Sequence, residues 1–149
     1  PWPPSVMRRN AAIRSASSAA IFDIRSVALL SALAPEGGDC FRLEGNLQIA
    51  LAKGLKNIAP LARLTEITGN LTLHGNHDLR SLVALSNLKR VGGWLHISGN
   101  RSLTSLEGLH NVVQVGGLSV SDQDRLADLT GLRNLSIVGG GFTSHTTRG

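Results

Sequence analysis

The sequence predicts an all-β or mainly β chain wound as a right-handed, single-stranded β-helix, a leucine-rich solenoid with about 24 residues per coil. Three observations predict this fold. Similar segments that begin GNLQI, GNLTL, GWLHI and GLSV recur, and their leucines are 24, 24 and 23 residues apart. Apolar residues between these segments return at every third position, and glycines separate one repeat from the next. A fixed period of this length is typical of architectures in which each coil buries the apolar edge of its neighbours.

Each repeat opens with an apolar pair that predicts a β-strand. An L-x-I step places both apolar side chains on one face of a strand and the intervening residue on the other face. We therefore predict two inward-facing core columns, one of Leu47, Leu71, Leu95 and Leu118 and one of Ile49, Leu73, Ile97 and Val120. Phe22 and Ile24, followed by Leu30 and Leu33, have the same spacing and predict an earlier strand.

The rest of each repeat predicts a chain that turns repeatedly around one axis. The three-residue spacing of Leu82, Leu85, Leu88 and Val91 matches neither the period of a helix nor that of a strand. Corners that need either positive φ or close backbone approach are expected at Gly69-Asn70, Gly92-Gly93, Gly116-Gly117 and Gly139-Gly140. Stacked asparagines are expected to satisfy backbone groups of the turns, in the columns Asn87, Asn111, Asn134 and Asn76, Asn100.

The repeat sets the expected domain organisation. Residues 1–20 lie outside it, are rich in Ala, Ser and Arg, and are expected to form a linker or a disordered or helical segment. Residues 21–149 are expected to form the solenoid. Because the chain starts at Pro1 and ends just after a new repeat begins, we expect a piece of a longer protein, truncated at the C-terminus of the solenoid.

Composition argues against several partners. The net charge is +5, but the basic residues fall at scattered positions of the repeat, so we expect no continuous phosphate-binding stripe and no nucleic-acid partner. The chain has no Tyr, two Trp and three Phe, which leaves few platforms for stacking bases. No apolar run reaches the roughly 18 residues that a membrane span needs, so none is expected within this chain.

The segment CFRLEGNLQI (residues 40–49) resembles the C-x-x-I-x-G-x-L-x-I motif of receptor L domains, as found in insulin-receptor and EGF-receptor ectodomains. TEITGNLTL (65–73) resembles the next coil of those domains, and FDIR (22–25) resembles their opening strand. The resemblance covers roughly residues 21–142 and implies a non-catalytic, extracellular ligand-binding module. It also implies a cysteine partner for Cys40, but Ala19 and Ala20 stand in that place. We expect Cys40 to be a small buried residue in the column of Leu64 and Leu88, with intermolecular pairing or a reactive thiol as the alternatives. A conventional leucine-rich repeat is the alternative fold.

The polar residues favour binding over catalysis. His74 and His77, and the aspartates 122, 124 and 128, lack the spacing of zinc or calcium ligands, so no metal and no cofactor are expected. A β-helix enzyme acting on polysaccharides is the remote alternative, and it would need acids or bases gathered on one sheet face. The outward columns Gln48, Thr72, His96, Ser119, Thr143 and Ala50, His74, Ser98, Ser121 hold single histidines without a carboxylate. We therefore expect no catalytic residues and no enzyme.

The predicted binding surface is the outward strand face, centred on Trp94 with His96, Thr72, His74 and Ser98. We expect it to contact a protein ligand or another cell-surface protein, since exposed tryptophans are frequent hot spots. The alternative for Trp94 is packing across the glycine corner. The alternative function is a structural or adhesive cell-surface or cell-wall protein. N-x-S/T motifs at Asn70, Asn100 and Asn134 are predicted glycosylation sites and favour an extracellular or cell-surface location.

Overall fold

The computed structural model describes residues 11–14, 21–26, 40–138 and 142–145. The described strands are β1 (Ala11–Arg14), β2 (Ile21–Ile24), β3 (Phe41–Glu44), β4 (Asn46–Ala50), β5 (Leu64–Ile67), β6 (Leu71–His74), β7 (Arg90–Ser98), β8 (Gln114–Ser121), β9 (Ile137–Val138) and β10 (Phe142–His145). Short 3-10 helices occur at Ala59–Leu61, Val83–Asn87 and Thr130–Leu132. The predicted solenoid is confirmed, with parallel strands stacked over about four turns of about 24 residues each.

Every strand pair in this array is parallel, and the pairs form two ladders. The first ladder contains β2, β4, β6, the second halves of β7 and β8, and β10. The second ladder contains β1, β3, β5, the first halves of β7 and β8, and β9. A third side follows each strand of the first ladder and consists of residues 51–57, 75–81, 99–105 and 122–128. We number the four coils 1 to 4, as residues 40–63, 64–87, 88–111 and 112–134.

The register of the first ladder places the predicted core columns side by side. Leu47, Leu71, Leu95 and Leu118 are successive partners, and Ile49, Leu73, Ile97 and Val120 follow in the same way. All eight side chains are at most 1% exposed. Full burial of such a side chain stabilises the fold by about 1.5–3 kcal/mol. The predicted earlier strand is β2, in which Phe22 pairs with Leu47.

The second ladder was not predicted as strand, and its geometry explains why. Leu64 and Ile67 of β5 are both fully buried, although two residues rather than one separate them. Phe41 pairs with Leu64 but Arg42 pairs with Glu66, so Thr65 forms a β-bulge and donates a hydrogen bond from Oγ1 to the Phe41 carbonyl oxygen at 3.1 Å. A bulge adds one residue to a strand and hides its two-residue period.

The predicted glycine corners that the structure describes, from Gly69-Asn70 to Gly116-Gly117, require close approach rather than positive φ. A Cβ on Gly92 would collide with the carbonyl oxygen of Thr68, and one on Gly93 with Oδ1 of Asn70. Gly45, at the corresponding corner of coil 1, does have a positive φ of 133°, and other glycines with positive φ, such as Gly75 and Gly99, lie where a coil leaves the first ladder. Gly139-Gly140, Leu30 and Leu33 lie outside the described residues.

The asparagine columns satisfy backbone groups, as predicted. Asn76 and Asn100 are fully buried. The Oδ1 of Asn76 accepts from the Ala52 N–H (3.1 Å), and the Oδ1 of Asn100 accepts from the Asn76 N–H (3.0 Å). Their Nδ2 groups donate to the carbonyl oxygens of Ile49 (2.8 Å) and Leu73 (2.9 Å). The exposed column Asn87, Asn111 and Asn134 donates to carbonyl oxygens of the preceding coil.

Two expectations need correction. Cys40 is half-buried, and Phe41 instead takes the fully buried position opposite Leu64, because the bulge at Thr65 shifts the register. Residues 11–14 form β1, paired with β3, within the segment that we expected to be a linker or helix. The remainder of residues 1–20 lies outside the described part of the chain.

Candidate functional site

The outward face of the first ladder brings together most of the predicted binding residues. Gln48, Thr72, His96 and Ser119 are successive cross-strand partners and form one row along the solenoid axis. Thr72 and His96 are half-buried and His74, in the next row, is exposed. Parallel pairing sets neighbouring side chains of a row about 4.8 Å apart, so the face is regular and flat.

Ser98 does not belong to the exposed surface. It is only 5% exposed, and its Oγ lies 2.8 Å from Nδ1 of His74 in the preceding coil. Since alternate residues of a strand point to opposite faces, both would be expected to point outward. His74 covers the smaller serine, so the contact surface there is the imidazole alone.

Trp94 lies at the corner where the second ladder passes into the first. Its backbone N–H donates to Oδ1 of Asn70 at 2.7 Å, and its register partner in β8 is Gly117. A Cβ on Gly117 would collide with the indole ring, so the ring lies directly over this glycine. The side chain is nevertheless 40% exposed. The two interpretations of Trp94, outward contact and packing across the corner, therefore describe one conformation.

A one-residue shortening of coil 4 creates the place for this ring. Three residues separate Val91 from Leu95, but only two separate Val115 from Leu118. The register of β7 and β8 shifts between Val91 and Trp94, so the residue that coil 4 lacks belongs to the glycine corner, and Gly117 takes the position that Asn70 and Trp94 hold in coils 2 and 3. No side chain of coil 4 stacks on Trp94 from this column, and the indole ring covers the bare backbone instead.

The charges of the two ladders differ. On the second ladder Glu66 lies between Arg42 (3.9 Å) and Arg90 (3.6 Å), and Arg42 also contacts Glu44 (2.9 Å). This row of alternating charges is compensated internally. The row around His96 holds uncharged polar residues until Asp23, which pairs with Arg25 at 3.0 Å. A neutral face carries a smaller desolvation cost on binding than a charged one.

The aspartates of coil 4 have separate structural roles. Asp124 lies 3.7 Å from Arg101, and Asp128 accepts hydrogen bonds from Oγ1 (2.7 Å) and N–H (3.0 Å) of Thr130. These bonds, the one from the side chain first, lower the pKa of Asp128. Asp122 adopts a positive φ of 53° at the corner. Within the described residues, no three His, Cys, Asp or Glu side chains are grouped as a metal site would require.

The three N-x-S/T motifs differ in accessibility. Asn100 is fully buried and its Nδ2 is bonded to the Leu73 carbonyl oxygen, so the predicted glycosylation there is corrected: a sugar has no room. Asn70 and Asn134 are exposed. They remain predicted sites.

The comparisons with known proteins bear on these residues. Neither the curated proteins nor the solved structures gave a significant match to the chain. Among the described residues, no helix has the length and apolar character needed to cross a bilayer. Residues 39–107, from the start of β3 to the turn after β7, match the receptor L domain family. The members of this family are non-catalytic ligand-binding modules of receptor ectodomains, and the resemblance is confirmed over this segment.

Proposed function

We propose that this chain is a non-catalytic binding module of a receptor-like or cell-surface protein, located outside the cell. In this proposal the outward face of the first ladder contacts a protein ligand or another cell-surface protein. The family match over residues 39–107 supports a ligand-binding role, and the position of Trp94 supports this face.

The observation that carries the proposal is an exposed tryptophan held in one place. The hydrogen bond that its N–H donates to Oδ1 of Asn70 fixes its backbone, and the stacking on Gly117 fixes its ring. A large apolar surface that is already ordered loses little entropy when a partner covers it. Tryptophan is enriched at interface hot spots for this reason and because of its area.

The surroundings suit a protein partner. Thr72, Gln48 and Ser119 offer hydroxyl and amide groups, and His96 offers a ring that donates or accepts. Uncharged groups around a central aromatic side chain match the usual anatomy of an interface, in which charged residues are depleted at the core.

The test is a binding screen followed by matched substitutions. The module, immobilised, is screened against a panel of purified ectodomains and secreted proteins, and any interaction is measured with Trp94→Ala and with Thr72→Arg. Each change is expected to weaken binding by at least about tenfold, the cost of roughly 1.4 kcal/mol at a hot spot.

The control is Arg90→Gln on the second ladder, which is exposed and removes an interaction with Glu66 without touching the proposed face. It is expected to leave affinity within about twofold. If Arg90→Gln abolished binding while Trp94→Ala and Thr72→Arg left it unchanged, the ligand would lie on the second ladder and this proposal would be wrong.

A further inference from the structure

A polar groove on the third side contains two arginines that form no ion pair with a carboxylate of the described residues. The groove has a volume of about 380 Å³ and is lined by Arg80, Ser102, Thr104 and Arg125. These residues come from coils 2, 3 and 4. The backbone bonds Arg80 N–H to Lys56 O (3.0 Å) and Ala127 N–H to Thr104 O (3.3 Å) keep the coils in register here.

The arrangement places the two arginines in the coils on either side of the serine and the threonine. Coil spacing is about 4.8 Å, so the backbones of Arg80 and Arg125, two coils apart, are separated by about 10 Å. Ser102 and Thr104 lie in the coil between them. Long arginine side chains can reach inward from both ends toward a group placed over the hydroxyls.

The acids of the third side are engaged elsewhere. Asp78 accepts from the Gly54 N–H of coil 1 at 2.9 Å, which turns its carboxylate away from Ser102. Asp124 lies against Arg101 and Asp128 binds Thr130, while Asp122 is at the corner of the first ladder. Arg80 and Arg125 make no ion pair with any described residue, in contrast to Arg42 and Arg90 of the second ladder.

We propose that this groove binds a sulfate ester of an acidic glycan. A sulfate ester carries three acceptor oxygens that point in different directions, which suits donors that arrive from three coils. Arginine forks bind such oxyanions with two parallel hydrogen bonds. Lys56, beside Arg80 in coil 1, extends the cationic groups along the axis toward the next anionic unit of a polymer.

The groove residues favour a glycan over a nucleic acid. The described residues that line the groove include no aromatic side chain, so they offer no platform on which a base would stack. The serine and threonine hydroxyls suit the hydroxyl groups of a sugar. From the proposed function this inference takes only the location outside the cell, where sulfated glycans occur.

The experiment uses the full chain and a heparin-derived sulfated oligosaccharide, with calorimetry as the readout. Arg80→Gln and Arg125→Gln are each expected to weaken binding about tenfold, and the double variant to abolish it. Arg63→Gln is the matched control, because Arg63 is exposed, makes no ion pair among the described residues and lies away from the groove. It is expected to change affinity by less than about twofold.

Further arms separate the outcomes. Removing the sulfates while keeping the carboxylates of the oligosaccharide is expected to abolish binding, and Trp94→Ala is expected to leave it intact. Absence of binding by the wild type, equal loss in Arg63→Gln, or equal binding of the desulfated oligosaccharide would overturn the proposal. Tighter binding of a single-stranded oligonucleotide with the same arginine dependence would overturn it in favour of nucleic acid. Loss of the partner interaction in Trp94→Ala with glycan binding retained tests the two sites separately.

Discussion

Replacing Asn100 by alanine tests whether the buried asparagine column stabilises the solenoid. The substitution removes two hydrogen bonds. In one, Nδ2 of Asn100 donates to the Leu73 carbonyl oxygen (2.9 Å), and in the other, its Oδ1 accepts from the Asn76 N–H (3.0 Å). Asn100 is fully buried, so water cannot easily replace either bond. Each buried polar group left unpaired costs about 1–3 kcal/mol, and we expect a loss of about 2–6 kcal/mol in the free energy of unfolding.

A loss of that size is a large fraction of the 5–15 kcal/mol that typically stabilises a domain. The measurement is a urea titration followed by far-UV circular dichroism and by tryptophan fluorescence, whose coincidence checks that unfolding is cooperative. The midpoint should fall while the slope with urea stays the same, since the substitution changes stability rather than the surface exposed on unfolding.

Asn87→Ala is the control for this prediction. Asn87 also donates to a carbonyl oxygen of the preceding coil, that of Ala62 at 2.6 Å, but it is exposed and water can take its place. We expect a loss of no more than about 1 kcal/mol. A loss below about 0.5 kcal/mol for Asn100→Ala, or equal losses for both variants, would refute the argument that burial makes these bonds important.

Three further predictions follow from the same structure. Leu95→Asp should unfold the array, because it buries an uncompensated charge at a cost of several kcal/mol, and wild-type stability in chemical denaturation would show that Leu95 does not face inward. Leu51→Gly should raise the melting temperature, because Leu51 is 56% exposed and has a positive φ of 54°. A left-handed backbone costs a bulky residue about 1–2 kcal/mol. A lower melting temperature would show that the packing of Leu51 on Gly75 outweighs the strain. On secreted material, mass spectrometry should find glycans at Asn70 and Asn134 and none at Asn100, and a glycan on Asn100 of the folded protein would contradict its burial.

The first ladder could be predicted from the sequence because its strands keep an unbroken two-residue period. Leu71 and Leu73 are both buried and Thr72 between them faces outward, and the same alternation recurs in each neighbour. The second ladder could not be predicted in the same way. The bulge at Thr65 puts the inward residues Leu64 and Ile67 three apart, and a spacing of three does not distinguish a bulged strand from a turn.

The candidate site was predictable only in part, because burial depends on neighbours in other coils. Ser98 and Ser121 hold the same outward position of the repeat, but only Ser98 is covered by the imidazole of His74. The three residues that start at Asn100 form a glycosylation motif, whereas its stacking with Asn76 of the preceding coil makes Asn100 a core residue. The uncompensated charge of the groove between Arg80 and Arg125 depends on the direction in which the Asp78 carboxylate points. The spacing of residues in the sequence does not determine that direction.

The placement of Trp94 and the 23-residue step from Leu95 to Leu118 are structurally linked, and both can be read from the sequence. The column of Asn46, Asn70 and Trp94 continues before Leu118 with Gly117, which has no side chain. Each asparagine of the column occupies the space above a glycine of the next coil and accepts a backbone N–H with its Oδ1. Where the column ends, an asparagine would leave much of Gly117 uncovered, whereas an indole covers it and extends beyond it. The shortened corner, which places a glycine in register with Trp94, therefore makes an exposed, ordered aromatic side chain possible here, and it explains why the hot-spot candidate occurs in coil 3.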